Sequence, residues 1–106
     1  NEAGAYPTAS ELDQLSRMKK PTRVLDFARR LWNRTYGRAD ETLNPHELAI
    51  VGLEHPSDER FLRLATGGWS GNESIISTLH ENRLVWIITW RLSACGGLHI
   101  FQYPRD

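Results

Sequence analysis

The chain has 106 residues, 40% of them apolar and 25% charged, with a formal net charge of zero at pH 7. That length and balance fit one globular domain, which buries about two-thirds of its unfolded surface and needs neither a disulfide nor a structural metal to fold. No apolar run approaches the roughly 20 residues of a membrane helix, no charged-then-apolar leader opens the chain, and Cys95 has no second cysteine to bridge within it. The expected setting is the cytoplasm, with no membrane, no cofactor and no metal.

In chain order, Asn1–Pro7 precedes the first structural signal and, because the first residue is not Met, reads as a flexible processing remnant. Thr8 or Ser10 caps a helix predicted to run to about Lys20, with Leu12, Leu15 and Met18 on its apolar side. Pro21 suits the first turn of a second helix. There Val24, Phe27, Ala28, Leu31, Trp32 and Thr35 recur at three- and four-residue spacing until Gly37 stops it. Arg23, Asp26, Arg30 and Arg34 fall on its other side, where Asp26 can pair with Arg30.

Asn44–Pro45 opens a third helix, to about Leu53, expected to bury Leu48, Val51 and Ile50; Gly52 and Pro56 bracket its end. After an acidic loop through Ser57, Asp58 and Glu59, residues Arg60 to Thr66 read as a short strand with one wet face, where Arg63 interrupts the apolar positions. The Gly67–Gly68 break is followed by Ser70-Gly71-Asn72-Glu73, the pattern of a capping box, and by a helix burying Ile75, Ile76 and Leu79. Asn82 is placed to end that helix in a left-handed conformation. Leu84 to Leu92 is β-branched and aromatic and apolar on both alternating faces, which predicts a central strand. It turns through Ser93 to Gly97 into a second strand, Leu98 to Tyr103.

The fold class predicted is α+β: a mainly helical half over 8–56, packed on a small, mainly antiparallel sheet built by a strand–helix–hairpin half over 60–103, all in one domain.

Charge is segregated along the chain. Residues 17 to 38 hold eight Lys or Arg against a single acid, Asp26, whereas 39 to 59 hold six acids and no Lys or Arg. These blocks can neutralise each other in the fold or form two faces.

The run Leu64-Ala65-Thr66-Gly67-Gly68-Trp69-Ser70-Gly71-Asn72-Glu73 is followed by Ile75-Ile76, Leu79, Asn82, Trp86, Trp90 and Gly96-Gly97 before Ile100-Phe101. This pattern, covering about forty residues, resembles a group of small phage and prophage proteins of unassigned function. The resemblance implies a phage genome as context and carries no catalytic residues with it.

Glycines ahead of a helix invite a phosphate-binding reading. Here the spacing is neither a P-loop nor a dinucleotide fingerprint, no Lys follows, and Glu73 puts a carboxylate where an anion would sit. A cap-and-turn structure is the better account. Trp69, between glycines in a turn, is either a core plug or an interface anchor, and with Asn72 and Glu73 it forms the protein-binding candidate. Arg23, Arg29, Arg30 and Arg34, beside Trp32 and Tyr36, form the nucleic-acid-binding candidate. The histidines at 46, 55, 80 and 99 share no zinc-type spacing, and Cys95 has no nucleophile signature around it, although His80 or His99 would be the partner if it paired. Glu73 and Glu81 lie about 12 Å apart along one helix, too far for a paired-carboxylate site.

No catalytic residue is assigned. The leading expectation is a non-enzymatic phage-encoded accessory protein that binds a host or phage protein, with inhibition of a host defence complex, anti-CRISPR-like or other, as its role. The alternatives are a nucleic-acid-binding accessory protein using the 17–38 segment, and a small enzyme with a site assembled from His and Glu residues. A homodimer is left open.

Overall fold

The computed structural model describes residues 6–51 and 59–104. Among them the chain forms five helices and four strands, in the order α1 (Ala9–Arg17), α2 (Pro21–Leu31), β1 (Arg38–Asp40), α3 (Pro45–Val51), β2 (Glu59–Ala65), α4 (Ser70–Glu81), α5 (Arg83–Thr89), β3 (Trp90–Ala94) and β4 (Leu98–Pro104). The α+β class expected from the sequence is what forms. His55, the Gly52–Pro56 bracket and the loop at Ser57–Asp58 lie outside the described residues.

The strands make one antiparallel sheet in the order β1-β2-β4-β3. Its central pair sets Leu62 opposite Phe101, Leu64 opposite His99 and Arg60 opposite Tyr103. In an antiparallel ladder opposed residues share a face, so Leu62, Leu64, Phe101 and Tyr103 line the side that the helices cover. Leu15, Val24, Leu25, Ala28, Leu31, Ile75, Leu79 and Val85 complete that core. The other face is not the wet surface expected from Arg63. Phe61 and Ile100 are buried there, and Arg63 bonds Glu47 at 2.8 Å and approaches Asp40 at 3.6 Å.

Thr8 caps α1 through a reciprocal box: its hydroxyl accepts from the Glu11 amide at 3.1 Å, and Glu11 Oε1 accepts from the Thr8 amide at 2.8 Å. The helix ends at Arg17, short of Lys20, and Asn82 Nδ2 takes the Leu15 and Met18 carbonyls at 3.0 and 2.7 Å. In the same way α2 stops at Leu31, well before Gly37. The Asn33 side chain accepts from the amides of Thr35 and Tyr36, and the Asn33 amide is taken by Asn72. Tertiary partners captured the backbone groups that another helical turn would have used. Past Gly37, Arg38–Asp40 forms β1, a strand not expected from the sequence.

Asn44 and Glu47 form the cap of α3, each accepting from the other's amide, at 2.8 and 3.1 Å. The buried side chain of this short helix is Glu47, 6% exposed, held by Arg63; Ile50 is exposed and Leu48 and Val51 are half-buried. An ion pair, not an apolar face, seats the helix.

Three further expectations are corrected in the C-terminal half. The Ser70–Glu73 capping box does not form. Trp69 occupies the cap position without a side-chain bond, Ser70 Oγ lies 2.9 Å from the Tyr6 hydroxyl, and the Thr66 hydroxyl donates to Glu73 at 3.4 Å. Asn82 is not left-handed, with φ −80°, because the chain runs directly into another helix. Of the strand expected over Leu84 to Leu92, residues 84–89 belong instead to α5, and β3 lies at the sheet edge, not its centre. Val85 and Thr89, one turn apart, are buried, and the Thr89 hydroxyl donates to the Val85 carbonyl at 2.7 Å. A run apolar at nearly every position satisfies either period, and the helix puts Val85, Trp86 and Thr89 on the core.

Candidate functional site

Three surfaces bear on function: the glycine-rich loop, a cavity between α2 and β2, and the outer face of α5.

Gly67, at φ +65°, takes a conformation that disfavours side chains, and its backbone passes against the Tyr36 carbonyl. The Trp69 ring lies over Gly71 so closely that a Cβ there would collide with it. Tyr6 and Tyr36 flank the indole, with ring centroids 4.7 and 5.5 Å away. Trp69 is therefore the half-buried middle of a three-ring stack whose outer members are exposed. Asn72, expected as a partner contact, is 0% exposed and serves the fold. Its Oδ1 accepts from the Asn33 amide at 2.9 Å, and its Nδ2 donates to the carbonyls of Asn33 and Thr66 at 3.1 and 3.3 Å. Glu73 is exposed. The loop's polar groups are largely spent on itself: the Thr66 hydroxyl accepts from Gly68, the Thr66 carbonyl from Trp69, and the Thr66 amide donates to Gly97.

Arg23, Arg29 and Arg30 of α2 converge with Arg60 of β2, Met18 and Asp26 around an open cavity of about 630 Å³. Arg60 is its fixed member. It donates to Asp26 and Glu41 at 3.1 and 3.0 Å and sits 4.8 Å over the Tyr103 ring; the bond to Glu41, above all, holds its pKa above the ordinary value. Burial pushes the Tyr103 phenol up to about 12, so this ring stays neutral beneath the guanidinium. Asp26 thus pairs with Arg60 and not with Arg30. Arg29 reaches Glu41 at 3.2 Å, with its Nε buried and unpartnered. Arg23 and Arg30 are exposed and make no ion pair among the described residues; Arg30 lies over the Phe27 ring at 5.6 Å. Arg34 lines no part of the cavity and donates to the Arg29 carbonyl. Trp32 is buried and Tyr36 belongs to the loop stack, so neither interleaves with the arginines.

Among the described residues the two charge blocks meet in a few ion pairs. The acids at 40, 41 and 47 draw most of their counter-charge from Arg60 and Arg63 of β2, with Arg29 and Arg38 the members of the basic block that join them.

Burying Val85 and Thr89 turns Leu84, Ile87 and Ile88 outward, and Leu84 and Ile87 are 65% and 69% exposed. Trp90 continues this face onto β3, stacked on Trp86 at 6.0 Å. Leu84 also walls a groove of about 520 Å³ shared with Met18, Lys19 and Val85. The Trp90 indole donates to Ser93 Oγ at 2.7 Å, and that oxygen lies 2.7 Å from His99 Nδ1. A hydroxyl can donate to a neutral ring nitrogen or accept from a protonated one, so this tether serves both states of His99. Burial lowers the His99 pKa, opposed by the charge of Glu73. Reading 83–89 at helical period would have found the outward stripe; reading it at period two concealed it.

His46, on α3, and His80, edge-on to Trp86, sit on other elements, and Cys95 is exposed in the hairpin turn. Among the described residues no three His, Cys, Asp or Glu side chains converge as metal ligands, and no helix is long and apolar enough to cross a membrane. Neither protein-family models, curated proteins nor solved structures give a match to the chain.

Proposed function

We propose that this chain is a non-enzymatic, phage-encoded accessory protein that acts by occupying a surface on a host protein, with inhibition of a defence complex as the role that fits such a protein. The observation that carries this reading is the outward apolar face of Leu84, Ile87, Ile88 and Trp90. Burying a side chain of this size is worth about 1.5–3 kcal/mol. A folded chain that leaves several together in water has a surface ready for a partner. β3 adds to it, since as an edge strand it has one row of backbone groups unpaired within the sheet. The phage resemblance supplies the context. Trp69, braced between two exposed tyrosines, is a second candidate anchor, and Glu73 is the exposed charge beside it.

The test is affinity capture from bacterial host lysate with the wild-type chain, Ile87→Asp, Trp69→Ala and Arg23→Gln, followed by mass identification. One host protein should be retained by wild type and Arg23→Gln, and lost from Ile87→Asp. Capture that ignores Ile87→Asp would remove the apolar face from the account. Sedimentation of the purified chain distinguishes a second copy as the occupant. The nucleic-acid reading draws less support, because Arg34 stands apart from the other arginines and Asp26 and Glu41 share their surface.

A further inference from the structure

We propose that the cavity between α2 and β2 binds a small phosphorylated ligand, its phosphate held by Arg23, Arg30 and Arg60 and its organic part resting on Met18. The inference is independent of the protein-binding reading and uses an adjoining surface, which meets the Leu84 groove at Met18.

Three observations carry it. The first is charge: four guanidiniums and one carboxylate, Asp26, line the cavity, and Asp26 and Glu41 are already committed to Arg60 and Arg29. Arg23 and Arg30 are left with positive charge unspent, two turns apart on one helix and on the face of Asp26. The second is preorganisation. Two carboxylates and the Tyr103 ring hold Arg60 in place, so a ligand meeting it has little side-chain freedom to freeze. Planar guanidinium forks match phosphate oxygens in pairs, which a solvated lysine patch does not. The third is shape. About 630 Å³ lies within the range of small-molecule sites, and guanidiniums gathered around a concavity suit a discrete phosphate group better than a continuous backbone.

Binding is read by calorimetry on the full chain at low salt, with inorganic pyrophosphate and ADP as probes and a single-stranded oligonucleotide in parallel. Pyrophosphate and ADP are expected to bind saturably at one site and to compete. The double variant R23Q/R30Q, altered only at exposed positions, should weaken both at least about 10-fold with an unchanged melting temperature. R60Q should do the same, and its circular dichroism separates loss of the site from loss of the fold. No saturable pyrophosphate binding by ~10 mM, a free energy of only about 3 kcal/mol, overturns the proposal. So does binding indifferent to R23Q/R30Q, or an oligonucleotide that binds through these arginines without pyrophosphate displacing it.

Discussion

The loop at 66–73 and the helix at 83–89 lie within one half of the chain and dispose of their side chains in opposite ways. In the loop, Thr66 and Asn72 turn inward and bond the backbone of two other segments, at Asn33 and Gly97, and Trp69 is pressed onto Gly71. In the helix, apolar residues that ordinarily build cores are left outside. Polar and glycine-rich positions here hold the fold, while aliphatic positions offer the contact surface. Residue type alone is a poor guide to which side chains a partner would meet, because a buried amide with every bond satisfied is structural whatever its chemistry.

Four substitutions put that contrast to the test. Asn72→Ala should cost most, on the order of 3 kcal/mol in chemical denaturation, because it strands the Asn33 amide in the interior and takes from the Asn33 and Thr66 carbonyls one of the two donors each has, leaving them Gly37 and Trp69. A loss under 1 kcal/mol would mean that water replaces the bracket.

Arg63→Met comes next, at about 2 kcal/mol, since it leaves the buried Glu47 carboxylate without its partner. Its signature is in pH. Burial resists ionisation of Glu47, but bonds from Arg63 and the Asn44 amide outweigh it, holding the folded pKa below its ordinary value. A depressed carboxyl pKa contributes stability that is present above the unfolded pKa and lost as pH falls through the folded one. Without Arg63 the folded pKa should rise, so the variant should lose less stability than wild type as pH falls. Melting curves between pH 3 and pH 6, about the window of an ordinary carboxyl, decide it.

Gly71→Ala should cost about 1–2 kcal/mol by driving Trp69 off its seat, with a red shift in tryptophan emission as the ring enters water. An unshifted spectrum would show that the stack with Tyr6 and Tyr36 holds the ring unaided.

Ile87→Asp should change stability least, within about 0.5 kcal/mol, because nothing in the fold covers that side chain. Equilibrium unfolding measures this directly. A large loss would mean that Ile87 belongs to the core and that the contrast between the two regions fails.

Much of the fold is legible in the residues. Proline at the start of α2 and α3, the apolar spacing of Val24, Ala28 and Leu31, and the Gly96–Gly97 turn each act locally and leave a local pattern. What is hidden depends on contacts distant in sequence. Asn33 ends α2 with the help of a residue on another helix, and Arg63 makes Glu47 the buried member of α3. The helical choice at 83–89 follows from the shape of the core, which a run apolar at both periods cannot announce. The arginines at 23, 29 and 30 were legible as a group; Arg60, which anchors them, is not, because it arrives from a strand across an acidic segment.

The interior side chains of Asn72 and Asn82 also set an order of assembly. Asn72 ties to Asn33 across 39 positions, and Asn82 ties to Leu15 and Met18 across 67 and 64. On a ribosome, the helices that end at these carbonyls and amides emerge well before the side chains that receive them. Closing such long loops is slow relative to forming local turns. The ends of the early helices therefore gain these partners only after residue 82 has been made, and the core closes only when β4 brings Phe101 and Tyr103 to it.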